Sequence, residues 1–326
     1  MVISVVIGTR DRAPLLRITL EHLRLQQYGA GDEVIVVDNA STDDTPGVIR
    51  DAAATFPVPL RYLRETMPGK SAAVNAGVRI ARGEILALTD DDVWPASDWI
   101  TAIRATFSDR SLAVAGGRVD PWWETPCPWW LRPCEPDMPY GVMFSPLALL
   151  HYGPAQPLGE RGAVGANLIV RREVFEDLGG FAQHLGRHQG TLLCGEDHEF
   201  CERAVAAGYR LEYRPELRVR HWVSAHRLRL RYYVRWFFWS GITNAMIDMS
   251  SFRSRPAVRH MTGRLAVELW KAFTATLSGR PADGVAHGME AAFAIGYLCA
   301  GMKVWPRRQI RTARQPVNQQ RPAGVT

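Results

Sequence analysis

Ile3 to Ile7 is a β-branched apolar run interrupted only by Ser4, the pattern of a strand buried on both faces. Pro14 then opens a helix whose apolar positions Leu15, Leu16, Leu20 and Leu23 recur at helical spacing. Glu33 to Val37 predicts a second buried strand. The turn-rich stretch Asp38-Asn-Ala-Ser-Thr-Asp-Asp-Thr-Pro leads from it into a helix over 48–55. Leu60 to Arg64 predicts a third strand, and Gly69-Lys-Ser starts a helix over 72–81. Glu84 to Leu88 predicts a fourth strand, ending in Thr89-Asp90-Asp91-Asp92. This repeated alternation of strand and helix implies an α/β fold with a parallel sheet covered on both faces.

A helix over 99–107 and a strand over 113–119 continue the pattern, which then fails. Pro121 to Gly162 is rich in proline, carries Trp122, Trp123, Trp129 and Trp130, and has no period. Loops of that length in compact domains are commonly functional. These tryptophans suit stacking on a ligand face, closing over a site, or plain packing. Regularity returns with a strand over 165–171, a helix over 172–178 stopped by Gly179-Gly180, a helix over 196–207 closed by Gly208, and a strand over 217–223. From Arg227 the chain reads as helical, basic and aromatic, and after Pro306 as a polar, Arg-rich disordered tail.

Composition narrows the class. A chain of 326 residues, 47% hydrophobic and 22% charged, is neither disordered, collagen-like nor coiled coil. Its net charge of +6 is unevenly spread: residues from Arg218 onward hold 18 Lys+Arg against 4 Asp+Glu, or +14, which leaves −8 for residues 1–217. Arg227, Arg229, Arg231 and Arg235 interleave with aromatic and aliphatic residues up to Trp239. Together with apolar helices over 265–277 and 291–302, that suits a bilayer headgroup region. No nucleic-acid module is recognisable and the front is acidic, so no nucleic acid partner is expected. No run reaches the roughly 18 apolar residues of a membrane span. Five cysteines and an apolar strand at the very start predict a reducing, cytoplasmic location. The pairs Cys127/Cys134 and Cys194/Cys201 lack zinc-site spacing and read as ordinary thiols.

Ligands of open α/β sheets bind beyond the carboxyl ends of the strands. Asp11, Asp38 and the triplet Asp90-Asp91-Asp92 all fall there. One aspartate would read as a helix cap; three in a row repel one another unless a cation offsets them. Mg²⁺ or Mn²⁺, which share such sites with substrate phosphates, is the natural partner. Lys70 at a helix start favours a phosphate. A Walker loop and a GxGxxG fingerprint are both absent, which argues against a P-loop ATPase and a dinucleotide dehydrogenase.

The motifs Val5-Val6-Ile7-Gly8-Thr9-Arg10-Asp11-Arg12, Val36-Val37-Asp38-Asn39-Ala40-Ser41-Thr42-Asp43, Gly69-Lys70-Ser71-Ala72-Ala73-Val74-Asn75-Ala76-Gly77 and Gly83-Glu84-Ile85-Leu86-Ala87-Leu88-Thr89-Asp90-Asp91-Asp92 follow in order. Gly165-Ala166-Asn167, Arg171-Arg172, Gly179-Gly180-Phe181, Gly195-Glu196-Asp197 and Val219-Arg220-His221 come after them. Over about residues 1–225 the chain resembles the nucleotide-sugar-binding part of family 2 glycosyltransferases with the GT-A fold, departing from many members in having Gly8 where they have Pro.

The resemblance implies a GT-A-type, mostly parallel sheet sandwiched by helices, to which the composition beyond residue 225 adds a basic helical C-terminal extension. Residues 1–225 would be catalytic, 226–305 a basic aromatic region able to meet a membrane, and 306–326 a tail. It further implies donor contacts from Thr9, Arg10, Asp38, Lys70, Asn75, Asp90 and Asp91, with Asp38 on the base. Asp90 and Asp92 would hold the metal with His221, Asp91 standing as the other register of the triplet. Asp197 would be the general base, with Glu196 and Glu199 competing, and His184, His188, His198 and His226 are alternatives to His221. The implied activity is metal-dependent inverting transfer from a nucleotide sugar, UDP-linked before GDP or dTDP. The acceptor would be a saccharide or lipid-linked hydroxyl in envelope polysaccharide or glycolipid synthesis, at the inner face of the cell membrane. A sugar nucleotidyltransferase and a non-catalytic sugar-nucleotide-binding protein are the competing readings.

Overall fold

The structure is a computed structural model and describes residues 1–131, 139–159, 162–186, 191–250 and 258–301. Cys134, His188 and the 306–326 tail lie outside the described residues. Four strands, β1 (Ile3–Thr9), β2 (Glu33–Asp38), β3 (Leu60–Arg64) and β4 (Ile85–Asp90), pair in parallel in the order β3-β2-β1-β4. Helices α1 (Ala13–Arg24), α2 (Thr45–Ala53) and α3 (Lys70–Ile80) connect them. Every residue of β2 is buried, so its run of valine and isoleucine is covered on both faces, as the absence of alternation predicted. The chain runs from β1 to β2 and β3 on one side and then crosses back to β4 on the other side of β1, and this change of direction opens a crevice at the carboxyl ends of β1 and β4.

The sheet runs on as a mixed one. β5 (Val93–Pro95) follows the aspartate triplet; α4 (Trp99–Thr106), β6 (Leu112–Trp123), β7 (Gln156–Pro157), β8 (Asn167–Arg171), α5 (Arg172–Asp177), α6 (Glu196–Ala206) and β9 (Arg210–Val223) complete the layer. β8 is antiparallel to both β4 and β6, β6 is parallel to β9, and β5 and β7 are antiparallel to β9. β6 and β9 are each longer than their hydrophobic runs. β9 begins at Arg210 because Leu211, Tyr213, Leu217, Val219, His221 and Val223 turn to the buried side while charged residues between them face out. That alternation puts His221 inside the protein.

The irregular 121–162 segment includes the end of β6, a 3₁₀ helix over Val142–Leu147, and a two-way backbone pairing of Val119 with Leu150. Trp130 is buried edge-on against Tyr233, while Trp122 and Trp129 are exposed. Three helices end the described chain: α7 (Leu230–Ser250), α8 (Val258–Leu277) and α9 (Pro281–Gly301). α7 and α9 meet backbone to backbone: a Cβ on Gly296 would stand 1.9 Å from the Phe238 carbonyl oxygen, and one on Gly241 2.0 Å from that of Phe293. Only glycine allows that approach.

Candidate active site

A cavity of about 880 Å³ lies over the carboxyl ends of β1 and β4 and reaches to α7, α8 and α9. Asp90, Asp91 and Asp92 line its floor, the start of α3 one side, and Gly195 to His198 another. Val142, Ser145, Pro146, Ala148 to Leu150 and Tyr152 bring the irregular segment into the wall; none of the segment's four tryptophans is among the lining residues.

Asp90, Asp92 and His221 bring one ligand atom each within 4.8 Å of one another. The three come from β4, the turn after it, and β9, so the antiparallel pairing of Val93 with His221 registers the histidine against the carboxylates. His221 Nε2 is 3.3 Å from Asp92 Oδ1, and the other ring nitrogen is buried without a hydrogen-bond partner. Two carboxylates and an imidazole without thiolate fit a hard divalent cation such as Mg²⁺ or Mn²⁺.

Asp91 turns elsewhere. Its carboxylate accepts from Thr9 Oγ1 at 2.7 Å and Arg12 Nη1 at 2.6 Å. Arg12 reaches Asp92 with its other nitrogen, also at 2.6 Å, so one guanidinium spans both buried carboxylates. Lys70 Nζ is 2.6 Å from Asp90 Oδ1, and Arg227 approaches Asp92 to 3.8 Å. Burial alone would push the Asp92 carboxyl up, but His221, Arg12 and Arg227 together hold it well below the usual carboxylate range. Burial raises Asp91 despite Arg12. The charge of the triplet is therefore offset by protein cations as well as open to a metal, a possibility the triplet alone did not reveal.

Arg12 and Arg227 had no assigned part at the site in the sequence. Arg12 stood inside a motif, and nothing along the chain marks it as a neighbour of residues some eighty positions on. Arg227 belongs by spacing with the arginines expected to face a membrane, yet it is buried. The 3₁₀ turn Ala225–Leu228 folds it back under β9, within 3.5 Å of His221 Nε2.

Asp197 lines the cavity from the first turn of α6. Its Oδ2 accepts the Gly165 N–H at 2.6 Å and its Oδ1 the His198 N–H at 2.8 Å. Gly195 before the helix has φ +90°, a left-handed conformation that suits glycine. Glu199 is engaged by Arg203 and is not among the cavity-lining residues, whereas buried Glu196 is. Burial, reinforced by Asp197 and opposed by Lys70, pushes Glu196 up to about 7. A folded-state value above the unfolded one means that ionised Glu196 costs stability above neutrality, a cost that fades as pH falls toward the unfolded value near 4.3. Glu196→Gln should thus stabilise the protein by roughly 1–3 kcal/mol at about pH 8 and by almost nothing at about pH 4. Urea unfolding at the two pH values checks the sign.

Thr9, Arg10 and Lys70 line the cavity. Asp38 and Asn75 do not border it. Asp38 is fully buried; its carboxylate accepts the Ser41 N–H at 2.7 Å and the Tyr62 hydroxyl at 3.0 Å. Its neighbour Asn39 lines the cavity and accepts the Gly69 N–H at 2.9 Å, holding the start of α3. The Asn75 amide clamps both backbone groups of Phe181. Of the other histidines, His198 also borders the cavity and His226 contacts Ser224. Cys201 and Cys299 are free thiols.

A profile of glycosyl transferase family 2 matches residues 4–179. The chain belongs to that family. The matched span carries β1 through β8, hence the aspartate triplet, while Asp197 and His221 lie beyond it. This family 2 glycosyltransferase is 25% identical over 254 residues to glucosyl-dolichyl phosphate glucuronosyltransferase of Haloferax volcanii, covering 76% of this chain and 78% of that one. It is 27% identical to glycosyltransferase AglE of the same organism, over 65% of this chain and 64% of that one. Among solved structures, mannosyltransferase PcManGT of Pyrobaculum calidifontis, in complex with GDP-Man and Mn²⁺, superposes with a TM-score of 0.62. That likeness spans 91% of this chain and 86% of the other at 20% identity, and it establishes the GT-A fold. Among the described residues, no helix of this glycosyltransferase is long and apolar enough to cross a membrane.

Proposed function

We propose that this enzyme transfers a sugar from a nucleoside diphosphate donor, UDP-linked in the first instance, to an acceptor hydroxyl in one inverting displacement. The observation that carries the reading is the meeting of Asp90, Asp92, His221, Lys70 and Asp197 around a single cavity. Asp90, Asp92 and His221 would hold Mg²⁺ or Mn²⁺, which when bound supplies positive charge to the departing diphosphate. Lys70 and the amino end of α3 would bind phosphate oxygens, the helix end contributing its free N–H groups. Asn39 keeps that end in place. Thr9, Arg10 and Asn39 border the region where the nucleoside would lie, and Asp38, with its hydrogen bonds to Ser41 and Tyr62, would shape the base pocket from beneath. Asp197, which also lines the cavity, would accept the proton of the attacking hydroxyl, whose own pKa lies far above neutrality.

The acceptor we propose is a saccharide or lipid-linked hydroxyl presented at the cytoplasmic face of a membrane, in envelope polysaccharide or glycolipid assembly. The acceptor named in the Haloferax relative, a dolichyl phosphate glycolipid, supports that class. So does the wall formed by Trp236, Phe237, Ile247 and Phe293, which gives the far end of the cavity apolar surface. Residues 1–225 would carry the donor chemistry and 226–305 receive the acceptor. Screening UDP-, GDP- and dTDP-sugars for nucleoside diphosphate release tests the reaction class. Release should stop with EDTA and return with Mn²⁺ or Mg²⁺. Pyrophosphate as product would make the protein a nucleotidyltransferase instead, and donor binding without any turnover in the presence of acceptors would make it a binding protein.

A further inference from the structure

α8 packs Met261 and Ala275 inward, yet it also turns large apolar residues outward. On a water-facing helix the charged residues look outward and the apolar ones pack inward. Here the stripe turned toward α9 includes Arg264 and Glu268, which pair with Glu290 and His287 of that helix, the latter at 2.7 Å. The opposite stripe presents Leu269, Trp270, Phe273 and Leu277, between 52% and 71% exposed. Leaving four large apolar side chains outside while half-buried ion pairs occupy the inner face is costly in water and reasonable against hydrocarbon.

We propose that the outward face of α8 is the surface on which this protein rests on an anionic lipid bilayer, with Trp270 and Phe273 at the level of the acyl–headgroup boundary. The occupant follows from charge as well as apolarity. The segment from Arg218 onward carries +14, and exposed Arg259 and Arg280 lie on or just beyond α8, where they can meet lipid phosphates as the stems snorkel. A helix of 20 residues with such a face lies in the plane of the interface rather than across it. The inner stripe of the same helix brings Arg264 into the wall of the catalytic cavity. The proposed lipid contact is thus about one helix diameter, roughly 10 Å, from the space that would receive an acceptor. The inference deepens the membrane part of the proposed function and does not depend on the transfer chemistry.

The test is flotation of the full-length protein with vesicles of phosphatidylcholine alone and of phosphatidylcholine with phosphatidylglycerol. The wild type should float with the anionic vesicles and far less with the neutral ones. A variant with Trp270→Ser, Phe273→Ser and Leu277→Ser should lose that binding by about tenfold or more. Its nucleoside diphosphate release in the absence of acceptor should be unchanged, which separates a failed membrane site from a failed enzyme. In case the triple variant does not fold, the mild Trp270→Phe variant serves. Brominated phosphatidylcholine in the anionic vesicles should quench wild-type fluorescence more than that of Trp270→Phe. No flotation of the wild type, equal flotation of the triple variant, or equal quenching would overturn the proposal. So would a wild-type dimer that Trp270→Ser, Phe273→Ser and Leu277→Ser together turn into a monomer, since a second copy would then cover the face.

Discussion

Asp197→Asn should lower acceptor-dependent turnover by about a thousandfold, within the 10²–10⁴ range of a lost general base, while leaving donor affinity within a few-fold of wild type. The asparagine side chain keeps an oxygen for the Gly165 N–H, so the loop before β8 stays tethered. It gives up one of two acceptor positions, at the His198 N–H, for about 1 kcal/mol of stability. A fall in turnover with donor binding intact, measured by titration calorimetry beside a rate assay, assigns the proton to Asp197. Glu196→Gln is the matched control, since Glu196 lines the same cavity one residue away. If Glu196→Gln abolished turnover and Asp197→Asn did not, the base would be Glu196, whose elevated pKa suits proton transfer near neutrality.

Asp92→Asn should have a larger and broader effect. Asp92 is buried and meets His221, Arg12 and Arg227 at once. Neutralising it leaves those groups facing one another without their common counter-charge, and breaking such a buried pair costs about 3–5 kcal/mol. The shift also sets the pH dependence. A carboxyl whose folded-state value is depressed stabilises the fold above its unfolded value, near 3.9, and loses that contribution as pH falls through the folded value. The stability gap between wild type and Asp92→Asn should therefore be full at neutral pH and narrow in acid. Mn²⁺ titration should show weakened binding and turnover should fall by about a thousandfold or more, because one of three candidate ligands is gone. Unchanged Mn²⁺ affinity would move the metal site away from Asp92.

How readily each part could be read from the sequence follows how local its cause is. β1, β2 and β4 were plain because both faces of a central strand are buried and the whole run must be apolar. The bounds of α1, α3 and α6 came within a few residues of expectation because proline and glycine mark helix ends whatever surrounds them. β9 was half missed: Pro215 and the charges around it hide an alternation that becomes meaningful only once β6 pairs alongside. The tryptophans of 121–162 could not be apportioned between packing and ligand, since that depends on whether α7 arrives to receive Trp130.

The order of strands and helices, the family motifs and the set of acidic residues at strand ends were determined by the sequence alone, through periodicity and the chemistry of single side chains. Which of those residues meet was decided only by tertiary structure. Asp91 and Asp92 are neighbours in sequence, but strand alternation and the turn into β5 send one to Thr9 and the other to His221. Arg12 joins both and Arg227 closes in from the far end of β9. The same holds for α8, whose helical period defines two faces but not which of them looks at α9. Periodicity records the distance between residues along one element; charge balance and burial depend on distances between elements, and those exist only once the chain has folded.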